Sequence, residues 1–329
     1  MATLADVAKL TGLSRATISR VINNHPYVSE EKKKAVQEAI RKLNYVPNAS
    51  AQKLRNQKTY TIAVLVPKLT NPFFAYLLEG IDKIATENGY FILTCHTQYD
   101  KQKEMTYMNY LKSKQVDGII LTSFENEWSK LSPYHAYGPL VLCNEYQFQE
   151  QVPLVRLNQF EGAYIGTRHL IENGHRKIGY CSGDQPTPLT RDRYNGYAYA
   201  LQEAGIMMDI AYTFQGILDL NDGKKVFHLG RAMAEPPTAY FTGSDQVAAG
   251  IILEAKQHGI GVPEHLSVVG FDDQQIASVV EPALTTIRQP SELIGMTAMK
   301  TMLKALDQKL EKEDMDIQLP LEFIIRKST

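Results

Sequence analysis

The 329-residue chain has few cysteines and no long apolar run. Cys95, Cys143 and Cys181 are isolated and show no C-x-x-C spacing, which argues against a zinc site or a disulfide framework. Each lies in or beside an apolar run, so we expect reduced thiols in the core. No stretch approaches the roughly 18 apolar residues of a membrane span, and Asp6 and Lys9 interrupt the segment that a signal peptide would need. We therefore expect a cytoplasmic protein without membrane contact.

Sequence signatures of enzymes are also missing. The chain has no G-x-G-x-x-G after a predicted strand, no Walker A motif, no H-E-x-x-H and no G-x-S-x-G. Asp272 and Asp273 are adjacent carboxylates, but no histidine or lysine lies near them in sequence to complete a catalytic group. We therefore expect no catalytic residue, no metal site and no cofactor.

Charge is distributed unevenly along the chain. Residues 1–58 contain 11 basic and 4 acidic residues, a net charge of +7, whereas the remaining 24 basic and 32 acidic residues give −8. A basic segment of this kind indicates a polyanionic partner. The alternative is a solvated lysine face on a small helical domain.

Three short helices are predicted within the first fifty residues. Residues 3–11 carry apolar side chains at helical spacing, Gly12 interrupts this pattern, and Ser14 is a suitable N-cap for a second helix. Ser29 is predicted to cap a third helix over residues 30–43. Short helices joined by a tight glycine turn are typical of a helix-turn-helix unit.

The second helix of such a unit enters the major groove with its N-terminal end. Arg15 is therefore predicted to read a guanine through two hydrogen bonds, and Ala16 to touch a thymine methyl or leave space. Arg20 is predicted to contact a base or a phosphate. The short polar residues suited to positioning phosphates are Thr3, Ser14, Thr17, Ser19 and Asn23. Thr3 and Ser14 are equally well explained as helix N-caps.

From Thr61 onward, short apolar runs alternate with helical patterns. The runs cover residues 61–67, 90–97, 116–123 and 139–144, and then 176–183, 238–244 and 266–273. The helical patterns include 73–88, 101–114, 193–204 and 246–258, and a helix over 291–309 precedes a last strand at 321–327. Two successive sets of β-α-β units predict two doubly wound α/β lobes with parallel sheets.

Ligands of doubly wound lobes bind beyond the C-terminal ends of the strands. The residues that follow the predicted strands combine aromatic rings with amides, carboxylates and a guanidinium group. The predicted ligand residues are Asn71, Phe73, Phe74, Asn144, Arg193, Ser244, Asp272 and Gln289. This mixture suits a sugar, whose ring face stacks on aromatic groups and whose hydroxyls need donors and acceptors. Each residue taken alone is also explained as a helix cap or a loop residue.

These motifs together resemble the lac repressor and galactose repressor family of bacterial transcription regulators, along essentially the whole chain. The strongest matches are T-L-A-D-V-A-K-L-T-G-L-S-R-A-T-I-S-R-V-I-N-N at 3–24 and Y-V-P-N-A-S-A-Q-K-L-R at 45–55. Further matches are N-P-F-F at 71–74, H-L-I-E-N-G-H-R-K-I-G at 169–179, V-V-G-F-D-D at 268–273 and P-A-L-T-T-I-R-Q-P at 282–290.

The resemblance implies a homodimeric regulator, expected to be a repressor, that binds a palindromic double-stranded DNA operator under the control of a small effector. It implies a headpiece at 1–57 with a hinge helix at 48–55, and an effector-binding and dimerisation core at 58–329 similar to periplasmic sugar-binding proteins. The N-lobe of the core would comprise about 60–158 and 291–319, and the C-lobe about 162–288 and 322–329. In one branch of the family a protein co-regulator docks on the N-lobe.

The resemblance also assigns roles in the cleft between the lobes. Arg193 and Asp272 match the family's main effector-binding arginine and aspartate, and Gln289 is a weaker match. Phe73 and Phe74 match its aromatic wall. Two positions depart from the pattern, since Asn144 stands where sugar binders often carry aspartate and Ser244 where many carry asparagine. The class of effector therefore stays open between a sugar and an anionic or other non-sugar ligand.

The hinge segment has properties of both a linker and a helix. Pro47 keeps Val46 extended and Asn48 is a good N-cap, but a helix of about two turns is marginal in water on its own. The resemblance implies that two copies fold together on DNA, with Leu54 inserted into the minor groove. The alternative is that Leu54 packs on the headpiece. The DNA-binding residues predicted in this segment are Asn48, Ala51, Lys53, Leu54 and Arg55.

Two other functions are compatible with the same α/β core. A secreted sugar-binding protein would need a signal peptide and has no use for a basic helical headpiece. An enzyme would need a nucleophile with its base, which the sequence does not supply.

Overall fold

The structure, a computed structural model, describes residues 2–22, 25–45, 58–146, 152–183 and 187–329. It forms two compact units, Met1–Thr59 and Tyr60–Thr329. The predicted hinge helix lies outside the described residues, and so do several of the predicted DNA-binding residues. These are Asn23, Asn48, Ala51, Lys53, Leu54 and Arg55.

The first unit contains the three predicted helices, α1 (Leu4–Thr11), α2 (Arg15–Ile22) and α3 (Glu30–Lys42). Gly12 ends α1 with a φ of 67°, a left-handed conformation that glycine adopts at little cost. The apolar faces of the helices meet in a small core. Its buried members are Val7, Ile18, Val21, Val28, Val36 and Ala39. The helix-turn-helix prediction is confirmed.

Local side-chain contacts fix the ends of these helices. Thr3 and Asp6 form a capping box, in which Asp6 N donates to Thr3 Oγ1 over 3.3 Å and Thr3 N donates to the Asp6 carboxylate over 2.8 Å. Ser14 Oγ accepts from Thr17 N at 3.2 Å, as expected of an N-cap. Ser29 occupies the N-cap position of α3, but its side chain makes no capping hydrogen bond, so that detail of the prediction is wrong.

The second unit contains two six-stranded sheets. The first has the order β11-β5-β4-β3-β1-β2 and the second the order β12-β10-β9-β8-β6-β7. The strands of the first sheet are β1 (Thr61–Val66), β2 (Phe91–His96), β3 (Gly118–Leu121), β4 (Leu140–Cys143), β5 (Leu154–Leu157) and β11 (Asp316–Leu319). Those of the second are β6 (Ile178–Cys181), β7 (Thr213–Phe214), β8 (Ala239–Thr242), β9 (Ser267–Asp272), β10 (Thr285–Arg288) and β12 (Glu322–Ile324).

Neighbouring strands pair in parallel, except that β10 and β12 are antiparallel. The helices of this unit are α4 (Pro72–Glu87), α5 (Lys101–Lys112), α6 (Trp128–Leu131), α7 (Gln159–Glu172), α8 (Pro188–Glu203), α9 (Leu220–Arg231), α10 (Asp245–Gln257), α11 (Gln275–Val279) and α12 (Ser291–Leu306). Short 3₁₀ helices lie at Ser132–Tyr137, Ile210–Tyr212 and Lys312–Asp314. Both faces of each sheet are covered, since alternate residues of β1 in the first sheet and of β9 in the second belong to different core clusters. Two doubly wound α/β lobes are therefore confirmed.

The chain passes between the two sheets three times. It leaves the first sheet after β5, returns to it after β10, and leaves it again between β11 and β12. Parallel strands place their C-terminal ends on one edge of each sheet, and these connections hold the two edges next to each other.

Four strands were not predicted, namely β5, β7, β10 and β11. They are short, and β10 begins with two threonines that do not look like core residues. Both are buried, because Thr286 Oγ1 donates to Asp245 Oδ1 at 2.5 Å and the Thr285 hydroxyl lies 2.9 Å from that of Thr329. The helix predicted to begin at Arg193 starts five residues earlier, at Pro188.

The three cysteines are free and buried, as predicted. Among the described helices, none has both the length and the apolar character that crossing a membrane requires.

Candidate functional site

The N-terminal half of α2 presents polar and basic groups on the surface of the headpiece. Ile18 and Val21 of this helix are in the core, so the residues before and between them face outward. The exposed ones are Arg15, Ala16 and Arg20, and Thr17 and Ser19 are half-buried. Within the described residues neither arginine takes part in an ion pair, so both guanidinium groups are available to a polyanion.

Thr3 and Ser14 are exposed, but their hydroxyls already serve the helix ends. The Ser14 hydroxyl also lies 2.9 Å from the Thr17 hydroxyl. Thr3 and Ser14 are therefore helix N-caps in this structure, and a contact with a phosphate would be additional to that role.

A cavity of about 370 Å³ lies between the C-terminal edges of the two sheets. Its volume is within the range of small-molecule sites. All eight predicted ligand residues line it: Asn71, Phe73, Phe74, Asn144, Arg193, Ser244, Asp272 and Gln289. It is also lined by residues that were not predicted, among them Tyr99, Glu125, Glu145, Tyr180, Thr187 and Leu189.

Arg193 is buried in the wall of this cavity and is held from three sides. Its Nε donates to Gln159 Oε1 at 2.7 Å, and its Nη1 donates to the Gly243 carbonyl at 3.0 Å. The guanidinium carbon lies 3.7 Å from the ring centroid of Phe271. Burial lowers the pKa of Arg193, and nearby Asp272 opposes that shift. The guanidinium is thus fixed in orientation before any ligand binds.

Gln159 connects this arginine to the other lobe. Its Nε2 lies 3.3 Å from Asn144 Oδ1 and 3.3 Å from Gln289 Oε1, and its side chain is 1% exposed. Sequence reasoning did not single out Gln159. The available signal was its position between the predicted end of the first N-lobe segment at about 158 and the predicted start of the C-lobe at about 162, beside the N-cap Asn158.

Asp272 accepts hydrogen bonds from two amides, Gln289 Nε2 at 2.5 Å and Gln274 Nε2 at 2.8 Å. Burial raises the pKa of Asp272 to about 6, although the positive charge of Arg193 lowers it.

The backbone is strained at two residues of the cavity wall. The φ angles of Asp272 and Asn144 are 108° and 71°, a region that non-glycine residues rarely adopt. Strained backbone of this kind concentrates at ligand sites.

The adjacent carboxylate, Asp273, has a different environment. It pairs with Arg288 Nε at 2.7 Å and with Arg326 Nη2 at 2.7 Å. Asp273 therefore stabilises the fold through ion pairs, whereas Asp272 lines the cavity.

Two of the predicted ligand residues are also helix N-caps. Asn71 Oδ1 accepts from Phe73 N at 3.1 Å and from Gln274 Nε2 at 3.2 Å. Ser244 Oγ accepts from Gln246 N at 3.3 Å. Asn71 and Ser244 therefore cap helices and also line the cavity wall.

Two carboxylates in the cavity wall were not among the predicted ligand residues. Glu145 is 6% exposed, and its Oε1 accepts from Tyr146 N at 3.3 Å and from Leu189 N at 3.4 Å. Burial raises the pKa of Glu145 to about 7, and burial also raises the pKa of Glu125. Glu145 directly follows the predicted ligand residue Asn144 at the end of β4 but was not predicted to bind the ligand, whereas Glu125 follows β3, whose end was not considered.

Within the described residues, one group has the composition of a metal site. His228 Nε2 lies 3.0 Å from Glu254 Oε1, and His258 Nδ1 lies 2.9 Å from the Glu254 carbonyl. None of the three residues lines the cavity. Each histidine has one ring nitrogen paired with Glu254, and these contacts explain why the three side chains lie together.

Comparison with known proteins identifies both units. Residues 3–48 match the family described as bacterial regulatory proteins, lacI family, and residues 59–327 match periplasmic binding proteins and the sugar binding domain of the LacI family. The chain is 42% identical to the NTD biosynthesis operon regulator NtdR of Bacillus subtilis (strain 168), over 100% of both chains. It is 32% identical to the HTH-type transcriptional repressor CytR of Escherichia coli (strain K12), over 100% of this chain and 96% of that one.

Solved structures agree with this assignment. The lac repressor dimer bound to operator and the anti-inducer ONPF superimposes with a TM-score of 0.87 at 25% identity, over 99% of this chain and 98% of that one. The complex of the transcriptional regulator CelR with cellobiose gives a TM-score of 0.74 at 29% identity, over 100% of both chains. The chain belongs to the lacI family of bacterial regulatory proteins and is a DNA-binding transcriptional regulator rather than an enzyme.

Proposed function

We propose that the protein is a repressor that binds a palindromic operator as a homodimer and responds to a sugar-like effector in the cleft between the lobes. The observation that carries this proposal is the surface of α2, where Arg15, Ala16 and Arg20 are exposed on a fully packed helix-turn-helix core. The protein acts in the cytoplasm, where its DNA partner is.

On the operator, α2 lies in the major groove. Arg15 donates two hydrogen bonds to a guanine, Ala16 contacts a thymine methyl or leaves space, and Arg20 contacts a base or a phosphate. The phosphate contacts are made by Thr3, Ser14, Thr17, Ser19 and Asn23. These assignments follow from the exposure of the α2 residues and the family resemblance.

The hinge at residues 48–55 couples the headpiece to the core. It folds when two copies meet on the operator, and Leu54 enters the minor groove between Lys53 and Arg55. The remaining hinge contacts come from Asn48 and Ala51.

The effector is held by the side chains that line the cavity, with Arg193 and Asp272 as the main polar contacts and Phe73 and Phe74 as the apolar wall. Asn71, Asn144, Ser244 and Gln289 complete the site. Effector binding changes the angle between the N-lobe (about 60–158 and 291–319) and the C-lobe (about 162–288 and 322–329), and with it the spacing of the two hinges. A difference in effector affinity between the two lobe arrangements is sufficient for this coupling.

Strand β2 supplies part of the dimer surface. It is an edge strand of the first sheet, and Phe91 and Leu93 are 74% and 38% exposed. An exposed apolar edge strand is usually covered by a partner. A protein co-regulator on the N-lobe remains a prediction from the family resemblance.

A gel-shift assay with promoter fragments tests the proposal. Wild-type protein is expected to retard a palindromic fragment selectively. Arg15→Ala is expected to weaken operator binding by about tenfold to a hundredfold, since a bidentate base contact contributes about 1–3 kcal/mol. Lys34→Ala is the matched control, because Lys34 is exposed on α3 and carries the same charge. Equal losses in both variants, or no selective retardation, would contradict the proposal.

A further inference from the structure

The charges that line the cavity are unbalanced. Among its described lining residues are three carboxylates, Glu125, Glu145 and Asp272, and one cation, Arg193. The core residues outside the described ranges, 147–151 and 184–186, include no lysine, arginine or histidine. Those eight residues therefore cannot supply a second cation.

Arg193 does not neutralise the carboxylates through direct contact. Its described hydrogen bonds go to the neutral acceptors Gln159 and Gly243, and its remaining close contact is the Phe271 ring. Asp272 accepts its hydrogen bonds from amides. Within the described part of the chain, none of the three carboxylates belongs to an ion pair.

Two lysines near the cavity do not change this balance. Lys68 follows the lining residue Pro67, but it pairs with Asp219 at 3.4 Å. Lys101 lowers the pKa of Glu125, but burial and the charge of Glu104 act more strongly in the opposite direction. Neither lysine lines the cavity.

Helix N-termini also face the cavity and by themselves favour an anion. Several of their backbone N–H groups already have side-chain acceptors in the protein. Asn71 accepts from the start of α4, and Ser244 accepts from the start of α10. At α8, Thr187 accepts from Thr190 N and Glu145 from Leu189 N. These four N–H groups are thus engaged within the protein and are not free for a phosphate or carboxylate ligand.

We propose that the effector is an amino sugar, a sugar-like ligand that carries a protonated amine. This inference rests on the proposed function, because it takes the cavity as the effector site. The ammonium group binds at Glu145, which is the most buried of the three lining carboxylates and belongs to the N-lobe. An ammonium group only donates hydrogen bonds and therefore needs such acceptors.

Two further features agree with a cationic ligand. Burial raises the pKa of Glu145 to about 7 and that of Asp272 to about 6, although the charge of Arg193 lowers both, and a bound ammonium group would favour their ionised forms. Phe73, Phe74, Tyr99 and Tyr180 line the same cavity, and aromatic faces attract ammonium groups. Asn144 stands where family sugar binders often carry aspartate. The cavity nevertheless keeps a carboxylate at the end of β4, because the next residue, Glu145, also lines it.

Calorimetric titration of the full-length protein tests this inference. The probes are glucose with an amine at C2, C3, C4 or C6, each compared with its N-acetyl derivative, with glucose and with glucose 6-phosphate. At least one amine is expected to bind tenfold or more tightly than these uncharged and anionic counterparts. Equal or tighter binding of glucose or glucose 6-phosphate, or no binding by any amine, would overturn the inference.

Variants identify the acceptor. Glu145→Gln is expected to reduce amine binding at least tenfold and glucose binding clearly less, whereas Glu125→Gln, which keeps Glu145, is expected to retain the preference for the amine. Glu79→Gln is the control, because Glu79 is an exposed carboxylate on α4 that does not line the cavity. Unchanged amine binding in Glu145→Gln would refute its role. Operator binding by the same preparation is measured separately, so a failed repressor proposal is distinguished from a wrong effector class.

Discussion

Arg193 Nε donates a 2.7 Å hydrogen bond to Gln159 Oε1, and both side chains are buried. Gln159 Nε2 also contacts Asn144, which follows β4 in the first sheet, and Gln289, which lies between β10 and α12. One uncharged side chain therefore connects the two lobes to each other and to the β10–α12 segment. The orientation of the predicted effector arginine therefore depends on a residue that does not line the cavity.

Replacing Gln159 is expected to weaken effector binding without affecting the headpiece. Gln159→Ala removes a hydrogen bond to a charged group, which contributes about 1.5–3 kcal/mol, and effector affinity should fall roughly tenfold to a hundredfold. Calorimetry measures this loss, and Gln202→Ala, at an exposed position on α8, is the control. Unchanged effector affinity in Gln159→Ala would show that Arg193 needs no such support.

Arg193→Ala is expected to abolish the effector response and to leave operator affinity without effector intact. Arg193 lines the cavity and belongs to a different unit from the DNA-binding headpiece. Gel shifts with and without effector measure both properties, and Arg191→Ala, with its 62% exposed side chain, is the neighbouring control. Loss of both properties in Arg193→Ala would mean that this residue is structural.

Glu145 is expected to make the free protein less stable as the pH rises. Its pKa is raised from 4.5 to about 7 in the folded protein, so between these values the folded state binds more protons than the unfolded chain. The free energy of unfolding therefore falls across this window and stays lower above it. Removing the carboxyl group in Glu145→Gln should abolish this fall, which amounts to up to about 3 kcal/mol.

Thermal unfolding of both proteins at pH 5 and pH 8 measures this effect. The variant should gain stability relative to wild type at the higher pH, whereas Glu79→Gln should show no such gain. A constant difference between Glu145→Gln and wild type at the two pH values would contradict the expected shift.

Leu54→Ala is expected to weaken operator binding much more than non-specific DNA binding. A side chain inserted in the minor groove stabilises only the kinked, specific complex. Removing Lys53 or Arg55 should instead reduce the salt slope of binding by roughly 0.9 per phosphate contact. Binding isotherms on operator and random DNA at several salt concentrations measure both effects. Equal losses on the two DNAs would refute the insertion of Leu54 into the minor groove.

The architecture was largely predictable from the sequence. Continuous apolar runs such as 61–67 mark strands that are buried on both faces, and cap residues such as Thr3 mark helix starts. Strand β10 was missed because its two threonines are buried only with partners that are distant in sequence, Asp245 and Thr329. Local patterns carry no information about such long-range hydrogen bonds.

The cavity wall was predictable where strand ends were inspected. All eight predicted residues line the cavity, but Glu125 and Tyr99 follow strands whose ends were not considered. Gln159 was not recognisable from its type alone, since an amide before an apolar helix face usually has a structural role. Its importance comes from contacts with residues 15, 34 and 130 positions away in sequence.

The central claim is that one protein binds an operator through its headpiece and alters that affinity through its cleft. The most direct measurement is the fluorescence anisotropy of a labelled palindromic operator, titrated with wild-type protein with and without saturating amino sugar. The account predicts selective binding over random DNA and a shift in operator affinity that is absent in Arg193→Ala. Operator affinity that is the same with and without a ligand shown by calorimetry to occupy the cleft would contradict it.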